Sequence, residues 1–151
     1  MLKAKNAAAG LLAGRMYTCR ELAERLRRKG FAEENVQQTV EEFMSAGYLN
    51  DRSYAELYIE DAIKLGAKGM FRIRRELLQK GISPSIIEDA VAETEADSAS
   101  ALEEYVRQRN LCDGIQNRKD LEKLKARLVR RGYSMDEIQQ CLSAYDFPFD
   151  R

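Results

Sequence analysis

Apolar positions along this chain come in pairs four residues apart, and the pairs flank a glycine that recurs at 30, 81 and 132, a constant spacing of 51. Leu22 and Leu26, Ile73 and Leu77, or Leu124 and Leu128 precede the glycine; Val36 and Val40, Ile87 and Val91, or Ile138 and Leu142 follow it. Residues four apart lie one above the other on a helix, so each pair marks one buried face and the glycine marks the turn between two helices. A cation stands just before each glycine (Lys29, Lys80, Arg131) and a large apolar residue just after it (Phe31, Ile82, Tyr133). A fixed period near fifty predicts a helical repeat array, in which a unit too small to bury its own face packs on its neighbours.

Start and stop signals resolve each repeat into three helices. In the first, Leu11 and Leu12 face inward from an opening helix. Thr18-Cys-Arg-Glu21 has the form of a capping box, Gly30 is a left-handed C-cap, and Val36, Val40 and Phe43 lead to another cap at Gly47. In the second, Asn50-Asp51 caps a helix holding Ala55, Tyr58 and Ala62 before Gly66; Phe71 to Lys80 forms the next, and Ser83-Pro84 opens the third. The last repeat has Ala101, Leu102 and Tyr105 on its first helix and a long polar loop from Asn110 to Asp120. A helix through Leu121, Leu124 and Leu128 follows, and Ser134-Met-Asp-Glu137 supplies a second capping box. The fold predicted is all-α, an elongated array of three tandem three-helix repeats covering 1–49, 50–97 and 98–151.

Composition narrows the function. With 151 residues, 44% of them hydrophobic, the repeats are modules of one body, and no apolar run approaches the roughly 18 residues of a membrane span. The absence of histidine excludes His-based triads and His-ligated metals. Cys19, Cys112 and Cys141 lack both disulfide-framework and metal-ligand spacing, which reads as reduced thiols of a cytoplasmic protein. Adjacent carboxylates such as Glu41-Glu42 and Glu103-Glu104 cannot face one another on a helix, so they are solvated surface rather than an acid and base pair. Tyr54, Tyr58, Tyr105, Phe43 and Phe71 lie at helical spacing with other apolar residues and are expected in the core.

Net charge is zero, 25 cations against 25 anions, but the signs are segregated. Lys68, Arg72, Arg74, Arg75 and Lys80 face only Glu76 between 68 and 81. From 88 to 104 the charged residues are Glu88, Asp89, Glu93, Glu95, Asp97, Glu103 and Glu104, all acidic. Cations just before the C-cap glycines complement the helix dipole. Arg72, Arg74 and Arg75 instead open a helix, where the dipole disfavours them, which suggests a reason outside the fold.

At this point the motifs resemble a known family. Gly47-Tyr-Leu-Asn-Asp51 with Tyr54-Ala55, followed by the run from Gly69 to Ile82, resembles the signature of the RecX family of bacterial recombination regulators. Leu11-Leu-Ala-Gly-Arg15 with Glu21-Leu22 and Arg131-Gly-Tyr-Ser134 are similar as well, so the resemblance spans essentially the whole chain. It implies a curved array of three-helix repeats lying in the groove of a RecA filament on single-stranded DNA and restraining its growth, ATP hydrolysis and strand exchange. It implies no catalytic site, no cofactor and no metal, in a cytoplasmic monomer. By motif it assigns partner binding to Arg72, Arg74, Arg75 and Lys80, with Lys68 beside them, and to Lys125, Arg127, Arg130 and Arg131. Many RecX-like chains are basic and this one is neutral, which weights contact with the recombinase above contact with DNA. A free-standing helical DNA-binding protein and a pure protein-interaction scaffold remain as alternatives.

Overall fold

The structure is a computed structural model of the chain and describes residues 2–65, 68–94, 97–147 and 149. Among these residues all regular structure is helical, in the order α1 (Leu2–Gly14), α2 (Cys19–Arg28), α3 (Glu33–Ser45), α4 (Asp51–Lys64), α5 (Met70–Gln79), α6 (Pro84–Glu93), α7 (Ser98–Gln108), α8 (Arg118–Arg130) and α9 (Met135–Leu142). Two compact units divide them. One holds 1–58 with 76–93 and the other holds 59–75 with 94–151, so α4 and α5 each contribute residues to both.

The termini form as the sequence dictates. Thr18 and Ser134 each close a capping box with the glutamate three residues on, and Asn50 accepts from the Ser53 N–H at 3.1 Å. Gly30, Gly81 and Gly132 have φ of +94°, +92° and +101°, a region open to glycine at little cost. Each completes the same double bond: its N–H reaches back to Arg27, Leu78 or Val129, and the N–H of the next residue reaches Leu26, Leu77 or Leu128. This is the Schellman arrangement, which satisfies carbonyls that a helix end otherwise leaves bare. Gly66 lies outside the described residues.

In the first unit α1 packs on α2 and α3 around Leu22, Leu26, Val36 and Leu49. Leu11 and Leu12 are half-buried against this cluster, and Ala4 and Ala8 are the residues of α1 that it covers fully. In the second unit α7 and α8 pack on α9 around Leu102, Leu121, Leu124, Leu128, Tyr133 and Ile138. Leu26, Leu77 and Leu128, the recurrent leucines, are all fully buried, each contributing about 1.5–3 kcal/mol by area.

Two expectations are corrected. Phe71 is 60% exposed rather than core. It precedes the buried Ile73 by two residues, about 200° around the helix, which turns it to the opposite side. The loop placed from Asn110 to Asp120 is shorter, because Asn117 caps α8 through the Asp120 N–H at 2.9 Å and the helix begins at Arg118. Part of that loop is also apolar: Leu111, Cys112 and Ile115 pack against the second unit's core.

The glycines do more than end helices. At Gly81 a Cβ would come within 2.4 Å of the Arg20 side chain, and at Gly132 within 2.4 Å of Arg72 Cβ and 2.5 Å of its backbone nitrogen. At Gly30 it would meet nothing within 4 Å. In each of the first two cases the face of the glycine is covered by the first turn of another helix, α2 at Gly81 and α5 at Gly132.

This ordering yields a graded prediction for alanine substitution. Gly30→Ala should cost about 1 kcal/mol from its backbone angle alone. Gly81→Ala should cost more, because a side chain must move, and Gly132→Ala most, about 2 kcal/mol or more beyond Gly30→Ala, because the obstruction is backbone. Urea denaturation of the three variants checks the order; equal losses would refute it.

The thiols give a second prediction. Cys141 is pushed up to about 11 from 9.0 and Cys19 to about 12 from 9.0, in both cases chiefly by burial, with Glu103 and Asp51 respectively adding negative charge. A raised thiol pKa means that the folded state holds its proton more tightly. That stability is present in full below pH 9 and is lost as pH rises from 9.0 through about 11. Denaturation midpoints should therefore fall across that window, and Cys141→Ala should flatten the fall.

Candidate partner-binding surface

The predicted cations fall into different surroundings. Within the second unit the Gly69 N–H donates to the Arg131 carbonyl at 2.8 Å and the Phe71 N–H to the Gly132 carbonyl at 3.1 Å. Gly69 has no room for a Cβ either, since one would lie 2.4 Å from the Gly132 carbonyl carbon. The start of α5 thus rests backbone to backbone on the end of α8. The contact gathers Lys68 and Arg72 beside Arg131, residues some sixty positions apart in sequence, and Arg75 lies exposed one turn further along α5.

This geometry changes the electrostatic reading of the arginines. Helix α5 starts at Met70, so Arg72 is the third residue of its first turn while Arg74 and Arg75 lie beyond that turn. Moreover, the carbonyl end of α8, with its partial negative charge, faces the N-terminus of α5. The dipole penalty expected at these positions is therefore offset within the fold. Only Arg75 of the three is fully classed as exposed; Arg72 and Arg74 are half-buried.

The third-repeat stretch divides. Lys125 sits beside the buried stripe of α8, 3.6 Å from Glu122, and lines a cavity with Tyr145 and Phe147. Arg127 and Arg130, two and five residues on, fall on the opposite half of the helix at about 100° per residue, and both are exposed. Arg131 is the C-cap of α8, its guanidinium 5.2 Å from the centre of the Tyr105 ring. A residue that sequence reasoning passed over stands at the same ring: Arg109 is 5.1 Å from it. The i, i+4 spacing of Tyr105 and Arg109 on α7 was the available signal. Tyr105 itself is in the core as expected, its hydroxyl buried without a hydrogen-bond partner.

Lys80 belongs to the first unit and to a joint of its own. Its carbonyl accepts from the Thr18 hydroxyl at 2.7 Å, its ammonium lies 3.6 Å from Glu21, and the Tyr58 ring is 5.7 Å away. Burial works to lower the Lys80 pKa, yet Tyr54, Glu21 and Tyr58 together hold it above the ordinary value of 10.5. The acidic run is exposed at Asp89, Glu93, Asp97, Glu103 and Glu104; Glu95 lies outside the described residues. Among the described residues no three His, Cys, Asp or Glu side chains converge as a metal site, and no helix is long and apolar enough to cross a membrane.

Comparison with known proteins agrees with the resemblance. The chain matches the model of the first three-helix domain of RecX over residues 4–43 and that of the second over 50–91. It is 34% identical to "Regulatory protein RecX" of Trichlorobacter lovleyi, over 89% of this chain and 90% of that one, and 32% identical to the protein of the same name from Vibrio parahaemolyticus, over 96% and 93%. The crystal structure of RecX from Lactobacillus salivarius superposes with a TM-score of 0.80 at 27% identity, covering 94% of each chain. With its tandem three-helix domains, its all-helical fold and relatives matched along nearly their whole length, the chain belongs to the RecX family.

Proposed function

We propose that this chain binds the RecA filament on single-stranded DNA and inhibits its growth, ATP hydrolysis and strand exchange. It acts by binding alone, without a catalytic site, as a cytoplasmic monomer whose repeats run 1–49, 50–97 and 98–151. The observation that carries the reading is the α5–α8 contact, because it concentrates Lys68, Arg72 and Arg131 on one unit of a chain with no net charge. Arg75 on α5, and Arg127 and Arg130 on α8, extend that surface, while Arg74, two residues on from Arg72, lies about 200° around α5 and adds charge from its other side. Lys80 belongs to the other unit, and Lys125 lies on the half of α8 away from Arg127 and Arg130, so neither is counted in it. A local concentration of cations steers the chain to a polyanionic filament, while overall neutrality limits its hold on naked DNA.

Replacing Arg72, Arg74 and Arg75 together by Gln should raise the concentration needed for half-inhibition of RecA ATP hydrolysis on single-stranded DNA by about tenfold. The residual inhibition should depend less on salt. Stability should change by about 0.5 kcal/mol or less, since the cations neither cap nor fill the core. Lys125→Gln should inhibit as the parent does. Unaltered inhibition by the triple variant would remove these arginines from the surface. Tight binding of naked single-stranded DNA at physiological salt, with ATP hydrolysis unaffected, would favour the free-standing DNA-binding alternative.

A further inference from the structure

Within the first unit one helix end is occupied and another, built alike, is open. At the end of α5, Gly81 has a positive φ and Lys80 stands before it. The first turn of α2 sits there. Its N-cap Thr18 donates its hydroxyl to the Lys80 carbonyl at 2.7 Å while accepting the Glu21 N–H at 3.1 Å; Glu21 lies 3.6 Å from the Lys80 ammonium, and the Arg20 stem covers the glycine. The end of α2 has the same parts. Lys29 is the C-cap, Gly30 follows with φ +94°, the Schellman bonds are the same, and both residues are exposed with nothing within 4 Å of the glycine's Cβ position. A bare helix end of this kind offers unsatisfied carbonyls, partial negative charge on its axis and a lysine beside it.

We propose that the Lys29–Gly30 end of α2 is a docking site for the first turn of a helix on a partner protein, one that opens with Ser or Thr and carries Glu three residues later. The hydroxyl donates to the Lys29 carbonyl, the glutamate pairs with the Lys29 ammonium, and the helix N-terminus meets the negative end of α2. The occupied joint shows that all three contacts fit at once; with Arg27 held by Glu33 at 2.6 Å, Arg25, Arg28 and Lys29 against Glu34 leave a cationic excess at this end that favours an acidic first turn over a basic one. The identity of the partner as the recombinase rests on the function proposed above; the surface itself does not.

The test uses the full chain and two readouts. An alanine-based helical peptide opening Thr-Ala-Ala-Glu is titrated while the amide resonances of Lys29, Gly30 and Phe31 are followed. Separately, inhibition of RecA ATP hydrolysis on single-stranded DNA is measured. Gly30→Asn, which tolerates the left-handed angle yet places a side chain on the docking face, should abolish the peptide response and raise the half-inhibitory concentration about tenfold. Lys29→Glu should do likewise and Lys29→Arg should retain both activities. Unchanged peptide shifts in Gly30→Asn would overturn the docking surface, as would sedimentation showing that the parent self-associates through this end and Gly30→Asn does not, and unchanged inhibition would overturn its assignment to the recombinase. A parent chain that binds the peptide and leaves RecA untouched would instead sink the filament reading and keep the docking surface.

Discussion

Among the described residues two helices start on the carbonyl end of another helix, and both starts depend on a residue without a Cβ. A helix terminus leaves donors bare at one end and acceptors bare at the other, so joining them satisfies both and sets opposite partial charges together. The approach is close enough that only glycine admits it: the Cβ position at Gly81 and Gly132 is already filled by Arg20 and Arg72. The two joints reach the C-cap carbonyl by different donors, a threonine hydroxyl at Lys80 and the Gly69 N–H at Arg131. The backbone donor demands the nearer approach, which is why the second joint needs glycine on both sides while the first needs it on one. The 51-residue spacing therefore preserves a tertiary contact as well as a helix cap.

The same contact organises the charge. A C-cap cation is favoured by the end of its own helix, and the arginine that follows the next helix's start is brought against it. Each joint thus collects positive charge from two distant stretches, at Arg20 and Lys80 in one unit and at Arg72 and Arg131 in the other. In the first unit Glu21 stands within 3.6 Å of the lysine and moderates the charge. The second joint carries Gly69 at the position of Thr18, 51 residues on, and Arg72 at that of Glu21, so a cation stands where the first joint has its carboxylate. The two joints therefore share their capping glycine and differ in the charge placed at this position.

How much of this was legible in the sequence depends on whether the signal was local. Helices and caps were readable because Thr18, Glu21, Ser134 and Glu137 act within three residues of one another, and the glycine cap bonds span five. The joint was not, because Gly69 and Gly132 are 63 residues apart and meet through backbone atoms that leave no side-chain signature beyond two glycines. Gly69 draws notice in the sequence only as the first residue of the run that resembles the family. Phe71 was misplaced for the same reason: its apolar character suits a core, but the docked start of α5 fixes the phase of the helix and Ile73 takes the inward position. Lys80 and Lys125 come with the arginines through the family motif, which carries no record that Glu21 stands 3.6 Å from one and that the other lies around the helix from Arg127 and Arg130.

The start of α8 departs from the 51-residue period. The residue 51 beyond Gly69 is Asp120, which is already the third residue of α8, because that helix runs 13 residues where α2 and α5 run 10. Its first-turn donors are met from within: Asn117 accepts the Asp120 N–H at 2.9 Å, and Asp120 accepts the Gln116 N–H at 3.2 Å. Local capping does not by itself decide whether a helix start docks, since Thr18 and Glu21 close a capping box at the start of α2 and that start still rests on the Lys80 carbonyl. The end of α2, by contrast, keeps the parts that the joints at Gly81 and Gly132 use, a glycine with positive φ behind a cation, with nothing within 4 Å of the Gly30 Cβ position. A basic helix start such as that of α8, where Arg118 and Lys119 outnumber Asp120, would meet like charge at the end of α2, so charge complementarity at Gly30 points to an acidic first turn.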